Sequence, residues 1–301
     1  MRAATRNSRD RAGNRALLIA STIVGTCLAL FFAGGLLLQS AVTPAPTTGA
    51  NVAITPAIAK PATTTPAPPK SESVVSTAPA AAATQTALAA PAGSVVCIDA
   101  GHQGSANNSL EPVGPGATER KPKVSSGTAG VATRTHESVL NLKVAKKLRS
   151  ELVGRGVKVV MVRESEKVDI SNSERAQIAN DAKADLFIRL HCDGSTDRSR
   201  KGLSTLIPAK NKWTGPILVS SKAAGKMIHA AVVAASGAID RGVVTRSDLS
   251  GFNWSNVPTV LVEMGFMSNA AEDRALNTDA YQDKLARGLA DGIVEYLRSR
   301  Q

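Results

Sequence analysis

The 301-residue sequence predicts an α/β domain with a three-layer, open, mostly parallel or mixed sheet flanked by helices. One transmembrane helix and a disordered linker are expected before it. Three observations lead there. From Ser94 to Gln301, short β-branched runs alternate with segments of helical periodicity, the pattern of a sheet covered on both faces. Ala16–Leu38 is an uncharged run of 23 residues preceded by five arginines. Between these two regions lies a stretch dominated by proline, alanine and threonine.

Residues 1–15 carry Arg2, Arg6, Arg9, Arg11 and Arg15 against Asp10 alone. Arginines on one flank place that flank in the cytoplasm and the remainder of the chain outside. As a helix, residues 16–38 would be about 35 Å long at ~1.5 Å per residue, enough to cross a hydrocarbon core of ~30 Å. The run exceeds a signal-peptide core, so an uncleaved anchor is expected, with cleavage near Ser40 and Ala41 as the alternative. Cys27 sits inside it as a small membrane residue. Residues 39–93 are the linker. Nine of the fifteen prolines fall between Ala41 and Gly93, where Lys60, Lys70 and Glu72 are the only charges. Large apolar side chains are lacking, so nothing offsets the entropy of ordering, and the ends of such a coil lie on the order of 40 Å apart.

The domain, residues 94–301, opens on SVVCIDAGHQG, a buried strand ending in a glycine-bounded loop. Leu140, Val144, Ala145, Leu148 and Leu152 place a helix over Ser138–Arg155, closed by Gly154 and Gly156. Val157–Arg163 is a strand, Ser173–Ala182 a helix, Ala184–His191 a strand, and GLSTLIP another. A long helix covers Pro216–Ser236, Val257–Glu263 is the last strand, and Tyr281–Arg298 is the closing helix. Of the formal charge of +12, +4 precedes the membrane run, +1 is in the linker and +7 in the domain. A domain outside the cytoplasm has no nucleic acid to meet, despite its basic balance. ERKPK (Glu119–Lys123) and RSRK (Arg198–Lys201) are read as solvated loops, with anionic wall polymers as the partner they would suit.

Sites in open α/β sheets form outside the carboxyl ends of the strands. His191 and Glu263 each end a strand there, and His102 follows the end of another. Glu137 falls on the inward stripe at the start of the first helix, an expensive place for a carboxylate without a partner or a cation. His102, Glu137 and His191 together are the two-histidine, one-carboxylate set of a catalytic zinc centre with one open position. By spacing alone, each strand-end histidine serves equally well as a structural residue.

Four stretches carry a family resemblance: IDAGHQG, EPVGPGATERKPKVSSGTAGVATRTHESVLNLKVAKKL, SERAQIANDAKADLFIRLHCDGS and VLVEMGFMSNAAED. In this order and spacing the chain resembles the zinc-dependent N-acetylmuramoyl-L-alanine amidases of bacterial cell walls, in their Gram-positive-type arrangement, over essentially all of Ser94–Gln301. The resemblance implies a phosphorylase/hydrolase-like fold, peptidoglycan as substrate and one zinc ion. It makes His102, Glu137 and His191 the metal ligands and Glu263, of the VEMGF motif, the catalytic glutamate. The stretch from His191 to Glu263 leaves little room for the inhibitory helix some members insert there.

Other residues take plainer roles. His136 is expected to be a solvated loop residue, His229 a packed or half-exposed one, and Asn269 to Glu272 a helix cap. Arg175 and Asn180, which match the family's pattern, are expected to pack or to support the site. Ser125–Gly130 is expected to be a mobile loop by the cleft; Glu111 is either a substrate contact or a solvated carboxylate. The loop with Asp248, Phe252 and Trp254 should border the cleft, with Trp254 supporting the last strand. Cys97 and Cys192 are read as isolated buried thiols, with a disulfide as the alternative. Two rival functions remain open: a metallopeptidase acting within the stem peptide, and a non-catalytic zinc-stabilised wall-binding module.

Overall fold

The computed structural model describes residues 88–301. The expected basic N-terminus, membrane helix and linker, up to residue 87, lie outside the described residues. Before Ser94, the Ala90 N–H already donates to the Arg155 carbonyl at 2.9 Å, and Ala90 packs on the main core.

β1 (Val95–Ala100) leads through the Gly101-His102 turn to a hairpin, β2 (Asn107–Pro112) and β3 (Arg120–Val124). Then come α1 (Glu137–Gly154), β4 (Lys158–Met161), α2 (Asn172–Asp181), β5 (Leu186–Asp193) and β6 (Leu203–Pro208). After a 3-10 turn at Gly215–Ile217 follow α3 (Leu218–Ser236), β7 (Asp240–Arg246) and α4 (Ser250–Asn253). β8 (Thr259–Phe266), α5 (Ala270–Leu276) and α6 (Asp279–Ser299) close the chain.

The main sheet runs β4-β1-β5-β8-β6-β7. Its first four strands are parallel; β6 is antiparallel to β8, and β7 parallel to β6, so the sheet is mixed. One face is covered by α1, α3 and α6, whose apolar residues merge with Val96, Ile98, Ile188, Leu190, Val260 and Val262 into the main core. The other face packs Cys97 and Phe187 against Ala176 and Ala179 of α2. These are the three layers predicted.

The inward stripe of α1 is buried as predicted, at Leu140, Val144, Ala145, Leu148 and Leu152. Across Gly215–Ser236 the described chain has its one helix apolar and long enough to cross a membrane, with a mean hydropathy of 1.3. Its partner explains that composition. At Gly288 and Gly292 of α6, an added Cβ would come within 2.7 Å of Val232 Cα and 2.5 Å of Ile228 Cα, so α3 is a core helix against which α6 packs backbone to backbone.

Three elements depart from the expectations. β2 and β3 are exposed or half-buried except at Glu111 and Val124 and carry polar residues and prolines, so their sequences do not alternate between apolar and polar residues. ERKPK is largely β3 rather than a loop. β7 is an exposed edge strand containing Gly242 at φ +80°, which hides it in the same way. α2 starts on a capping box: Ser171 accepts from the Glu174 N–H, and Glu174 accepts from the Ser171 N–H. Ser171→Ala removes the first of those bonds and should destabilise the domain by about 1 kcal/mol, read as a shift of the denaturant midpoint at constant slope.

Candidate metal centre

β1 ends where the chain turns through Gly101 and His102, with His102 in the left-handed region at φ +60°. A non-glycine residue takes that conformation only when its surroundings fix it. Here two buried arginines do so. Arg175, fully buried, donates to the His102 carbonyl at 3.0 Å and to Asp99 at 2.6 Å. Arg163 donates to the carbonyls of Ala100 (2.7 Å), Gly101 (3.2 Å) and Ser138 (2.7 Å), tying the turn to the first turn of α1. The His102 ring then places Nδ1 2.9 Å from the Ser125 carbonyl. Since a carbonyl only accepts, Nδ1 carries the proton and Nε2 offers its lone pair to the site.

Glu137 opens α1 and is 2% exposed. The loop before it is pinned by buried Asp273, which accepts from the N–H groups of Ala132 (2.7 Å) and Thr133 (2.8 Å). Glu137 Oε2 accepts from the Thr128 N–H at 2.9 Å; Oε1 accepts from the Cys192 N–H at 3.0 Å. The same Oε1 lies 3.1 Å from His102 Nε2 and 3.2 Å from His191 Nδ1, and those two nitrogens are 3.1 Å apart. Burial works to raise the Glu137 pKa, but the two imidazoles hold it far below the usual carboxylate range. Burial pushes His191 down to about 4, so its ring is neutral near pH 7. At His102 burial acts downward, and the hydrogen bond and charge of Glu137 outweigh it.

The donor set suits a metal. Ligands 2.0–2.1 Å from a tetrahedral zinc lie about 3.4 Å apart, a few tenths of an ångström beyond the separations found here. Buried His191 Nε2 has no hydrogen-bond partner, and the ring has room because Gly101 beneath it lacks a Cβ. Glu263 stands beside this cluster without belonging to it. It is the register partner of His191 on the neighbouring parallel strand, so both side chains leave the same face. Its Oε2 is buried without a partner. Burial, then the charges of Glu137 and Asp193, raise its pKa well above the usual carboxylate value.

The sequence profile described as N-acetylmuramoyl-L-alanine amidase matches residues 96–295. The chain belongs to this family. Among its relatives, the N-acetylmuramoyl-L-alanine amidase LytC of Bacillus subtilis is 32% identical over 162 residues, covering 54% of this chain and 31% of that protein. The amidase Rv3717 of Mycobacterium tuberculosis is 28% identical over 216 residues, covering 69% of this chain and 88% of its own. The chain thus spans under a third of one relative and most of the other. The crystal structure of the N-acetylmuramyl-L-alanine amidase Ami1 from Mycobacterium smegmatis superposes with a TM-score of 0.61 at 28% identity, covering 69% of this chain and 98% of that one. By family membership the chain is an enzyme of the amidase type.

In the amidase, His102, Glu137 and His191 are brought together and Glu263 is set beside them. Arg175 and Asn180 are supports: Asn180 Nδ2 donates to the Trp254 carbonyl at 3.0 Å. Glu111 departs from both of its expected roles. It is 3% exposed and accepts from the N–H and hydroxyl of Ser173, fastening the β2–β3 hairpin to the start of α2. Ser125–Gly130 forms a wall of the site, since Ser125 holds His102 and Thr128 holds Glu137. His136 is exposed, while His229 is buried between Thr205 (3.0 Å) and Asp240 (2.8 Å). Asn269 caps α5, and Cys97 and Cys192 are free buried thiols. Trp254 packs on the smaller core and donates to the Pro112 carbonyl, supporting the hairpin. Buried Phe252 packs with Leu206 and Leu261, and Asp248 lines a cleft with Lys121 and Arg189. Between His191 and Glu263 the chain forms β6, the 3-10 turn, α3, β7 and α4, and no further α-helix among the described residues.

Sequence reading missed the supporting charges Asp99, Arg163 and Arg189. A charged residue inside an otherwise β-branched run, as in VVCIDA and LFIRLH, is the signal that marks Asp99 and Arg189.

Proposed function

We propose that this amidase hydrolyses the amide bond between N-acetylmuramic acid and the L-alanine of the peptidoglycan stem peptide, with one zinc ion held by His102, Glu137 and His191. The observation that carries this is the convergence of three ligand atoms within 3.2 Å of one another, beside a glutamate with an unpartnered buried oxygen. A zinc ion held there by His102, Glu137 and His191 would supply a Lewis acid for the amide carbonyl and would lower the pKa of a bound water towards neutrality. Glu263 takes the proton of the attacking water and delivers one to the leaving amine, a role suited to a carboxyl whose pKa lies above its usual value. Ser125 and Thr128 hold the ligands in place from the adjoining loop.

The domain, residues 94–301, acts outside the cytoplasm at the cell wall. Residues 16–38 tether it to the membrane, the cytoplasmic residues 1–15 precede them, and the 39–93 linker spaces it from the bilayer up to Ala90, which joins the core, as the arginines and the uncharged run support. The exposed Arg198–Lys201 run suits anionic wall polymers: Arg200 and Arg241 both stack on the Phe266 ring, each 5.4 Å from its centroid.

The full-length protein in detergent, given purified peptidoglycan, should release intact stem peptides with L-alanine amino termini. Thorough chelation should abolish release, and added zinc should restore it. Activity surviving metal removal sinks the mechanism. Stem peptides cut internally would indicate the metallopeptidase, and binding to sacculi without clearance the wall-binding module.

A further inference from the structure

The face of the sheet that bears His191 and Glu263 continues into a cleft of about 290 Å³, lined in part by Lys121, Ser125, Asn172, Arg189 and Ser250. Ser125 belongs to both places, since its carbonyl also holds His102. Arg189 lies two residues before His191 on β5, on the same face and ~6.6 Å along the strand at ~3.3 Å per residue.

The Arg189 side chain is only 4% exposed. Its Nε donates to Asp99 at 2.9 Å and its Nη2 to Asn172 at 2.8 Å, while Nη1 has no hydrogen-bond partner among the described residues. Asp99 is already bound by Arg175. Two buried guanidinium groups therefore share one carboxylate, and Glu263, whose charge also reaches Arg189, makes no hydrogen bond to it. Asp248 on the rim does not supply the missing anion, because both of its oxygens are engaged by Arg246, at 2.8 and 2.7 Å. A buried charge without its match is unfavourable, and an anionic ligand would complete the set.

We propose that Arg189 binds a carboxylate on the peptide side of the substrate, the free α-carboxylate of the second stem residue, and so selects stems in which that group is not amidated. This rests on the amidase reading above. The N-acetylated sugar arm is uncharged, so only the peptide arm brings an anion into the cleft. The reach agrees, because two extended residues from the scissile carbonyl span ~7 Å, about the distance from His191 to Arg189 along β5.

The test uses the full-length protein and two soluble muramoyl peptides that differ only in carboxylate or carboxamide at the second residue. The carboxylate substrate should show a kcat/KM about ten- to a hundredfold higher, mainly through KM. Arg189→Gln should bring that ratio close to one. So should Gly251→Ala, whose methyl group would overlap Nη1 and Cζ and so turn the guanidinium away from the cleft without removing its charge. Equal rates on the two substrates in the native protein overturn the proposal without any variant. A preference surviving in both folded variants also overturns it. So does an equal loss on both substrates with a displaced pH profile, which would assign the Arg189 charge to Glu263 instead. Failure to cut either substrate at the muramoyl–alanine bond removes the amidase reading itself, and this one with it.

Discussion

Glu263→Gln is expected to keep its zinc and to lose about a hundred- to ten-thousandfold in kcat, the usual contribution of a positioned acid–base group. The expectation separates two jobs that neighbouring side chains perform. The cluster able to hold a metal consists of His102, Glu137 and His191, and Glu263 is outside it, so an amide at position 263 leaves the ligand set intact. Glutamine has nearly the same shape and fills the same space on β8, but it cannot take a proton from water. Elemental analysis of the purified variant should give the native zinc content, and stem-peptide release should show the loss. Glu137→Gln gives the contrasting pattern. It weakens a ligand whose carboxylate is held far below its usual pKa by two imidazoles, so zinc and turnover fall together. Native-rate release of stem peptides by Glu263→Gln would falsify the proton-transfer role.

Much of this arrangement was legible in the sequence because it obeys short-range rules. The α1 stripe repeats at helical spacing, and the strand ends that deliver His191 and Glu263 follow β-branched runs. Glu137 stood out because a carboxylate was due to face inward. What stayed hidden is non-local. Asp99 binds Arg175 across 76 positions and Arg189 across 90, and no local periodicity encodes such pairs. Glu111 looked like a loop carboxylate until the hairpin folded over α2 and buried it. β7 and the β2–β3 hairpin bury too little of their own surface to impose an alternating pattern; β7 forms on the edge that β6 offers, and β2 and β3 form on each other. The sheet supplies the positions of the ligands, and the buried charges then fix the turn that aims one of them.

Gly101→Ala should weaken zinc affinity at least a hundredfold while leaving the domain folded. At this position an added Cβ would overlap three atoms of the His191 ring. The overlap must be relieved by turning the ring or by moving the end of β1. Neither is free. The Gly101 N–H is bonded to the Leu190 carbonyl at 2.9 Å, and its own carbonyl accepts from Arg163 and Asn141. If the ring turns, Nδ1 leaves the point it shares with His102 and Glu137. If β1 shifts, His102 goes with it, since His102 is the next residue. Either way the three ligand atoms no longer converge, whereas the packing strain itself should cost only about 1–3 kcal/mol of stability. Competition against a chromophoric chelator reads the affinity, and a denaturant melt reads the fold. Gly154→Ala is the control, because an added Cβ there meets nothing within 4 Å and the position closes α1, so zinc binding should not change. Native affinity in Gly101→Ala would mean that His191 can turn without loss, and that it is not a ligand in the orientation seen here.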